Sequence, residues 1–139
     1  MIEKILPRGA DFINLISRRA AIVPTAKLGL GVLIGPESYV SDYVEIGDFS
    51  TANNHVILGH DVRVGRFTVI NMRATVSGNT IIGDEVFIGS AVAIAPKSRI
   101  GDGAFICIGS VVIGDVPAGA NYDRYAQECK DRRRSLRPD

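Results

Sequence analysis

The chain has 139 residues, the size of a single domain, and its 16 Lys and Arg against 15 Asp and Glu leave a net charge of +1. That balance argues against a nucleic-acid binder, because the one basic run, Lys130 with Arg132 to Arg134, is short and C-terminal and reads as a solvated face. No segment is apolar and long enough for a membrane span or a signal peptide, and two cysteines, Cys107 and Cys129, fit a reduced, cytoplasmic protein better than a disulfide framework.

Residues 1–21 carry no repeat but include an apolar cluster, Phe12-Ile13-Asn14-Leu15-Ile16, expected to cap the open end of the repeat. From Ile22 an aliphatic residue returns at every sixth position: Ile22, Leu28, Ile34, Val40, Ile46, Ala52, Leu58, Val64, Ile70, Val76, Ile82, Ile88, Ile94, Ile100, Ile106 and Val112. Only Ala52 is undersized. Four residues after each comes something small or Val, from Ala26 and Val32 to Ser110 and Val116, so every hexad supplies two inward positions two apart across a short strand. This is the hexapeptide signature of a parallel β-helix. Three hexads close a triangular coil of eighteen residues, and coils stacked about 4.8 Å apart give roughly five coils rising about 25 Å. One coil alone cannot bury its aliphatic residues; stacking at a spacing of eighteen does.

The residue after the aliphatic one is Gly in eight hexads, expected to serve corners that need positive φ. A sandwich of alternating strands would instead show turn signals every 8–12 residues and irregular spacing. The expected architecture is therefore all-β, a single-stranded parallel β-helix over 22–117. A turn at Pro117-Ala118-Gly119-Ala120 comes next, and the composition from Tyr122 to Leu136 predicts a helical tail within 118–139. Faces with few charges, carrying residues such as Val69, Met72, Phe87 and Phe105, predict burial between copies. A closed trimer suits a three-sided prism, with ligand clefts between subunits.

Because packing explains every inward residue, chemistry is sought at the corners. The two histidines, His55 and His60, both fall there. His60 has Asp42 one coil above and Gly78, with no side chain, one coil below. Imidazole, with a pKa near 6.5, suits proton transfer at neutral pH, and the adjacent Asp61 is placed to orient it. On spacing alone, an exposed corner histidine is more often inert than catalytic. Asn53 and Asn71, eighteen apart, read as a corner ladder, and Asp42 as a turn cap.

The stretch Leu58-Gly59-His60-Asp61-Val62-Arg63-Val64-Gly65, with Val76-Ser77-Gly78-Asn79-Thr80-Ile81-Ile82-Gly83-Asp84 and Phe87-Ile88-Gly89-Ser90, resembles the hexapeptide acetyltransferases that modify sialic acid or UDP-amino-sugars. The resemblance covers roughly 12–119. It implies a left-handed coil, against the usual crossover preference, and transfer from acetyl-CoA to an amine or hydroxyl of a sugar or nucleotide-sugar. It also implies His60 as general base, Asp61 as the neighbour that raises its basicity, and a homotrimer with active sites between subunits. CoA contacts, largely through backbone groups, map onto Gly78, Gly89, Ser90 and Ile108.

The sequence departs from that family at three places. An N-terminal α/β domain for the nucleotide-sugar has no counterpart, Val69 stands where some relatives have a second histidine, and Asn121-Tyr122-Asp123-Arg124-Tyr125-Ala126 replaces the usual ending. Two other readings remain. His55 and His60 have the H-x₄-H spacing of γ-class carbonic anhydrases, although catalytic zinc needs three protein ligands; Glu37 above His55 is a poor substitute and Arg73 below it repels a cation. The third is a non-catalytic β-helix scaffold.

Overall fold

Runs of two β-favouring residues, too short to stand alone, become stable strands here because each pairs with the same position one coil above and below. The computed structural model describes residues 11–123 and the backbone of 129–131. Within them the chain winds into a three-faced parallel solenoid of about six turns, rather than five. The first face runs from Leu15–Ile16 to Ala120–Tyr122, the second from Ala21–Ile22 to Val111–Val112, and the third from Lys27–Leu28 to Arg99–Ile100. Registers shift by one coil throughout, so that Ile34 meets Ala52, Ala52 meets Ile70, Ile70 meets Ile88 and Ile88 meets Ile106.

Both inward positions of the hexad are buried from Val32 onward. Each full burial of an aliphatic side chain is worth about 1.5–3 kcal/mol against exposure. Of the six small polar residues buried among the described residues, five join the backbone network of the core through their hydroxyls, and the Ser110 hydroxyl has no partner. Thr68 shows the pattern: its hydroxyl donates to the Gly83 carbonyl at 2.8 Å, while its N–H donates to the Ser50 hydroxyl at 2.9 Å.

The structure revises the reason for the glycines. Positive φ does not occur at the position after the aliphatic residue but two residues later, where most occupants are not Gly: Tyr43, His55, Asp61, Arg73 and Asn79 lie between 57° and 60°. The eight glycines answer a different demand. A Cβ at Gly59 would lie 2.8 Å from the Gly78 nitrogen, and one at Gly65 2.5 Å from the Gly83 carbonyl carbon. Close approach of coil to coil excludes a side chain there.

Both ends also differ from expectation. Leu15–Ile16, assigned to the cap, already pairs in parallel with Leu33–Ile34, so the solenoid begins before Ile22, and Phe12 packs edge-on against Phe49. Residues 1–10 lie outside the described residues. In place of the expected C-terminal helix, Ala120–Tyr122 extends the first face as a strand and the backbone of Cys129–Asp131 pairs antiparallel with it. The rest of the expected tail, including Arg132 to Arg134, lies outside the described residues. Among the described residues no helix is long and apolar enough to cross a membrane.

Few charges were expected on the faces, which holds for two of the three. Outward residues of the first face include Leu33, Val69, Phe87 and Phe105, and those of the second Tyr39, Ile57 and Val111. The third instead presents Lys27, Glu45, Arg63, Ile81 and Arg99.

Candidate active site

Corners at the solenoid's edges stack into three ridges, and the ridge joining the second and third faces carries His60 and Asp61. Backbone bonds to both neighbouring coils hold it: Asp61 N–H donates to the Asp42 carbonyl at 2.9 Å, and Asn79 N–H to the His60 carbonyl at 2.9 Å. Asp61 occupies the left-handed position, φ 57°, which Asp and Asn tolerate better than most residues. From there its Oδ2 comes 2.8 Å from His60 Nδ1. A carboxylate only accepts, so in the neutral imidazole this contact places the ring proton on Nδ1 and leaves the lone pair on Nε2. The side chains are 60% and 51% exposed, open to a ligand from solvent.

Gly78 supports this ring. A Cβ added there would come 2.6 Å from Nε2 and 2.8 Å from Cε1, so the imidazole lies over the bare glycine. The side chain moves more cheaply than the backbone would. Gly78→Ala should therefore leave the unfolding midpoint nearly unchanged while displacing the His60 ring; parallel urea titration and the imidazole NMR shifts check both. Asp42 is a turn residue, its Oδ1 accepting from the Thr25 hydroxyl at 3.2 Å while Tyr43 N–H donates to that hydroxyl at 3.1 Å.

The other expected contact positions stand elsewhere. Gly89, Ser90 and Ile108 come after first-face strands, at the ridge joining the first and second faces. A concavity of about 370 Å³ there is lined by Asn54, His55, Met72, Arg73, Ser90 and Ala91. Ile108, 71% exposed, continues its column below Ser90. Gly78 shares the His60 ridge instead, so the strands of the second face separate the two sets within one chain.

His55 and His60 likewise sit at opposite ends of the strand Ile57–Leu58. Among the described residues no group of three His, Cys, Asp or Glu side chains is placed to hold a metal. Glu37 is engaged by Arg19 at 3.2 Å. Asn53 and Asn71 form the expected ladder, Nδ2 to Oδ1 at 3.0 Å. Burial, with the Asp123 charge adding to it, pushes the Cys107 thiol up, away from the thiolate form a nucleophile needs.

Sequence reasoning missed a polar cradle on the third face beside His60. Tyr43, Glu45, Asp61, Arg63, Asn79 and Ile81 line a concavity of about 320 Å³. A sign of it was available in the outward column Lys27, Glu45, Arg63, Ile81 and Arg99, whose eighteen-residue spacing gathers charge on one face. The Lys27 ammonium, 3.0 Å from Glu45 and hydrogen-bonded to it, holds that carboxyl below the usual carboxylate range.

A parallel three-faced solenoid of six-residue repeats is the hexapeptide-repeat β-helix, and the chain shares that fold with sugar acetyltransferases of known structure. It is similar to perosamine N-acetyltransferase from Caulobacter crescentus, solved with CoA and GDP-perosamine, at a TM-score of 0.88 and 22% identity over 92% of this chain and 61% of that one. It is similar to PerB from Caulobacter crescentus with the same ligands at 0.84 and 25%, covering 86% and 57%. The acetyltransferase domain of PglB from Neisseria gonorrhoeae FA1090, in complex with acetyl coenzyme A, is similar at 0.61 and 25%, covering 86% and 58%. The chain thus spans about three fifths of the length of each. No family model and no curated protein sequence matches it.

Proposed function

We propose that this chain is the catalytic β-helix of an acetyl-CoA-dependent acetyltransferase that acylates an amine or hydroxyl of a sugar or nucleotide-sugar. The observation that carries the reading is the His60–Asp61 pair at 2.8 Å, which leaves Nε2 free to accept a proton at an exposed corner. The structural neighbours solved with CoA and GDP-perosamine support both substrate classes. The cytoplasm, where acetyl-CoA is available, is the matching location.

In this reading His60 Nε2 takes the proton from the acceptor nitrogen or oxygen as that atom attacks the thioester carbonyl, and Asp61 steadies the imidazolium that forms. The tetrahedral oxyanion is held by a backbone N–H, then collapses to expel the CoA thiolate, which leaves with the proton His60 carried. Transfer is direct, with no acyl-enzyme. Holding two substrates against one another accounts for much of the acceleration.

The separation of His60 and Gly78 from Gly89, Ser90 and Ile108 on different ridges supports a site shared between copies. Met72 and Ile108 offer apolar contact for the pantetheine arm, and backbone groups at Gly89 and Ser90 offer it hydrogen bonds. Association through the two apolar faces would bring one copy's His60 ridge against another's Ser90 ridge, and a cyclic trimer closes that arrangement. Sedimentation equilibrium should then give three times the 14.9 kDa chain mass. Release of free thiol from acetyl-CoA, dependent on an added amino-sugar nucleotide such as GDP-perosamine, tests the activity. A protein that neither binds CoA nor releases thiol with any such acceptor is a scaffold instead.

A further inference from the structure

The third-face cradle has a composition that neither core packing nor proton transfer requires. Tyr43 is 64% exposed, so its ring serves no core packing. It stacks directly above Asp61 on the catalytic ridge, and Asn79 directly below, its N–H anchored to the His60 carbonyl. An exposed aromatic ring beside an amide, a carboxylate and a guanidinium is the chemistry that recognises a pyranose: an apolar platform for the C–H face and directed partners for the hydroxyls.

Arg63 stands between Glu45 and Ile81 on the outward column. It makes no ion pair within 4 Å among the described residues: its charge acts on Glu45 from farther away, and the short contact with that carboxylate is made by Lys27. Its fork of donors is therefore left for a ligand, and that fork matches phosphate. Asp61 belongs both to the cradle wall and to the hydrogen bond with His60. Gly78, between Asn79 and the imidazole, puts no side chain in the way of a group passing from the cradle to Nε2. The charged third face is also the one least suited to burial against another copy.

We propose that this cradle seats the sugar ring of the acceptor, stacked on Tyr43 and hydrogen-bonded by Asn79 and Glu45, with Arg63 pairing a phosphate on its anomeric carbon. The inference rests on the acetyl-transfer reading and adds where, and by which side chains, the acceptor is chosen. The test titrates GDP-perosamine, glucosamine 1-phosphate, methyl glucosaminide and GDP into the wild-type protein and the Arg63→Gln and Tyr43→Ala variants by calorimetry and saturation-transfer NMR. CoA binding is followed separately by thermal shift.

The wild type should bind both phosphorylated sugars more tightly than the neutral glycoside. Arg63→Gln should abolish that preference, weakening the phosphorylated sugars at least about tenfold. Tyr43→Ala should weaken all three sugars, and neither variant should change the affinity for CoA. The proposal is overturned if the wild type binds none of the sugars, if either variant binds them as the wild type does, or if GDP alone binds as well as GDP-perosamine and is indifferent to Tyr43→Ala. The His60→Ala protein separates the two readings: full turnover in it removes the base from the mechanism, whereas sugar binding retained or lost in the cradle variants decides the cradle independently.

Discussion

Replacing His60 by alanine is expected to lower turnover at least about a hundredfold while leaving the fold intact, since general-base assistance contributes typically 10²- to 10⁴-fold. The side chain is 60% exposed and takes no part in the core, so its removal leaves no cavity. Its backbone carbonyl, which binds Asn79 N–H, survives the substitution. Acetyl-CoA binding should persist, because Gly89, Ser90 and Ile108 lie on the other ridge and Gly78, the expected contact beside His60, keeps its backbone. Asp61→Asn should also reduce turnover, by less, because the ring stays in place while its conjugate acid loses a charged partner. The measurement is the rate of thiol release at saturating acetyl-CoA for wild type, His60→Ala and Asp61→Asn. Full activity in His60→Ala would leave the corner pair with only a structural role.

The largest expected effect on stability is that of Leu58→Ala. Leu58 is fully buried, with Val40 and Val76 as its register partners. Truncation removes its transfer free energy and leaves a void that the neighbouring valines cannot fill. Each coil is also held to the next by backbone bonds such as Gly59 N–H to the Val76 carbonyl at 2.8 Å, so the solenoid cannot collapse inward at one point. Comparable leucine truncations set the expected loss at about 2–5 kcal/mol. Urea denaturation monitored by circular dichroism measures it. Ile57→Ser, one residue away but outward and 45% exposed, is the contrasting control, expected to alter assembly more than the stability of the chain.

Much of the fold was legible because a period of six leaves little freedom. Any residue in the series from Ile34 to Val112 could be placed in the core and matched with its neighbours eighteen away, and the parallel pairings keep that register. The ends were harder. Ile16 stands six before Ile22 with Ala20 four after it, so the period already runs there and pairing with Leu33–Ile34 makes Leu15–Ile16 a strand rather than cap, while Ala120–Tyr122 gains strand character from pairing with Phe105–Ile106, against a helical composition. Glycine was misread for a related reason: composition marks a corner, but only stacked backbones reveal that Gly59 and Gly65 are demanded by contact with the next coil while Asp61 and Tyr43 bear the positive φ.

Sequence alone determined the repeat, the inward set, the corner placement of His60 and its pairing with Asp61, because each is set by spacing along the chain. Tertiary structure decided what spacing cannot express. It put Gly89, Ser90 and Ile108 on a different ridge from Gly78 and His60, charged one face while leaving two apolar, and gathered Tyr43, Arg63 and Asn79, drawn from different coils, into a cradle beside the candidate base. The physical reason is that a helix of coils brings together residues by height and azimuth, and neighbourhood across a face or around a corner exists only once the coils are closed and stacked.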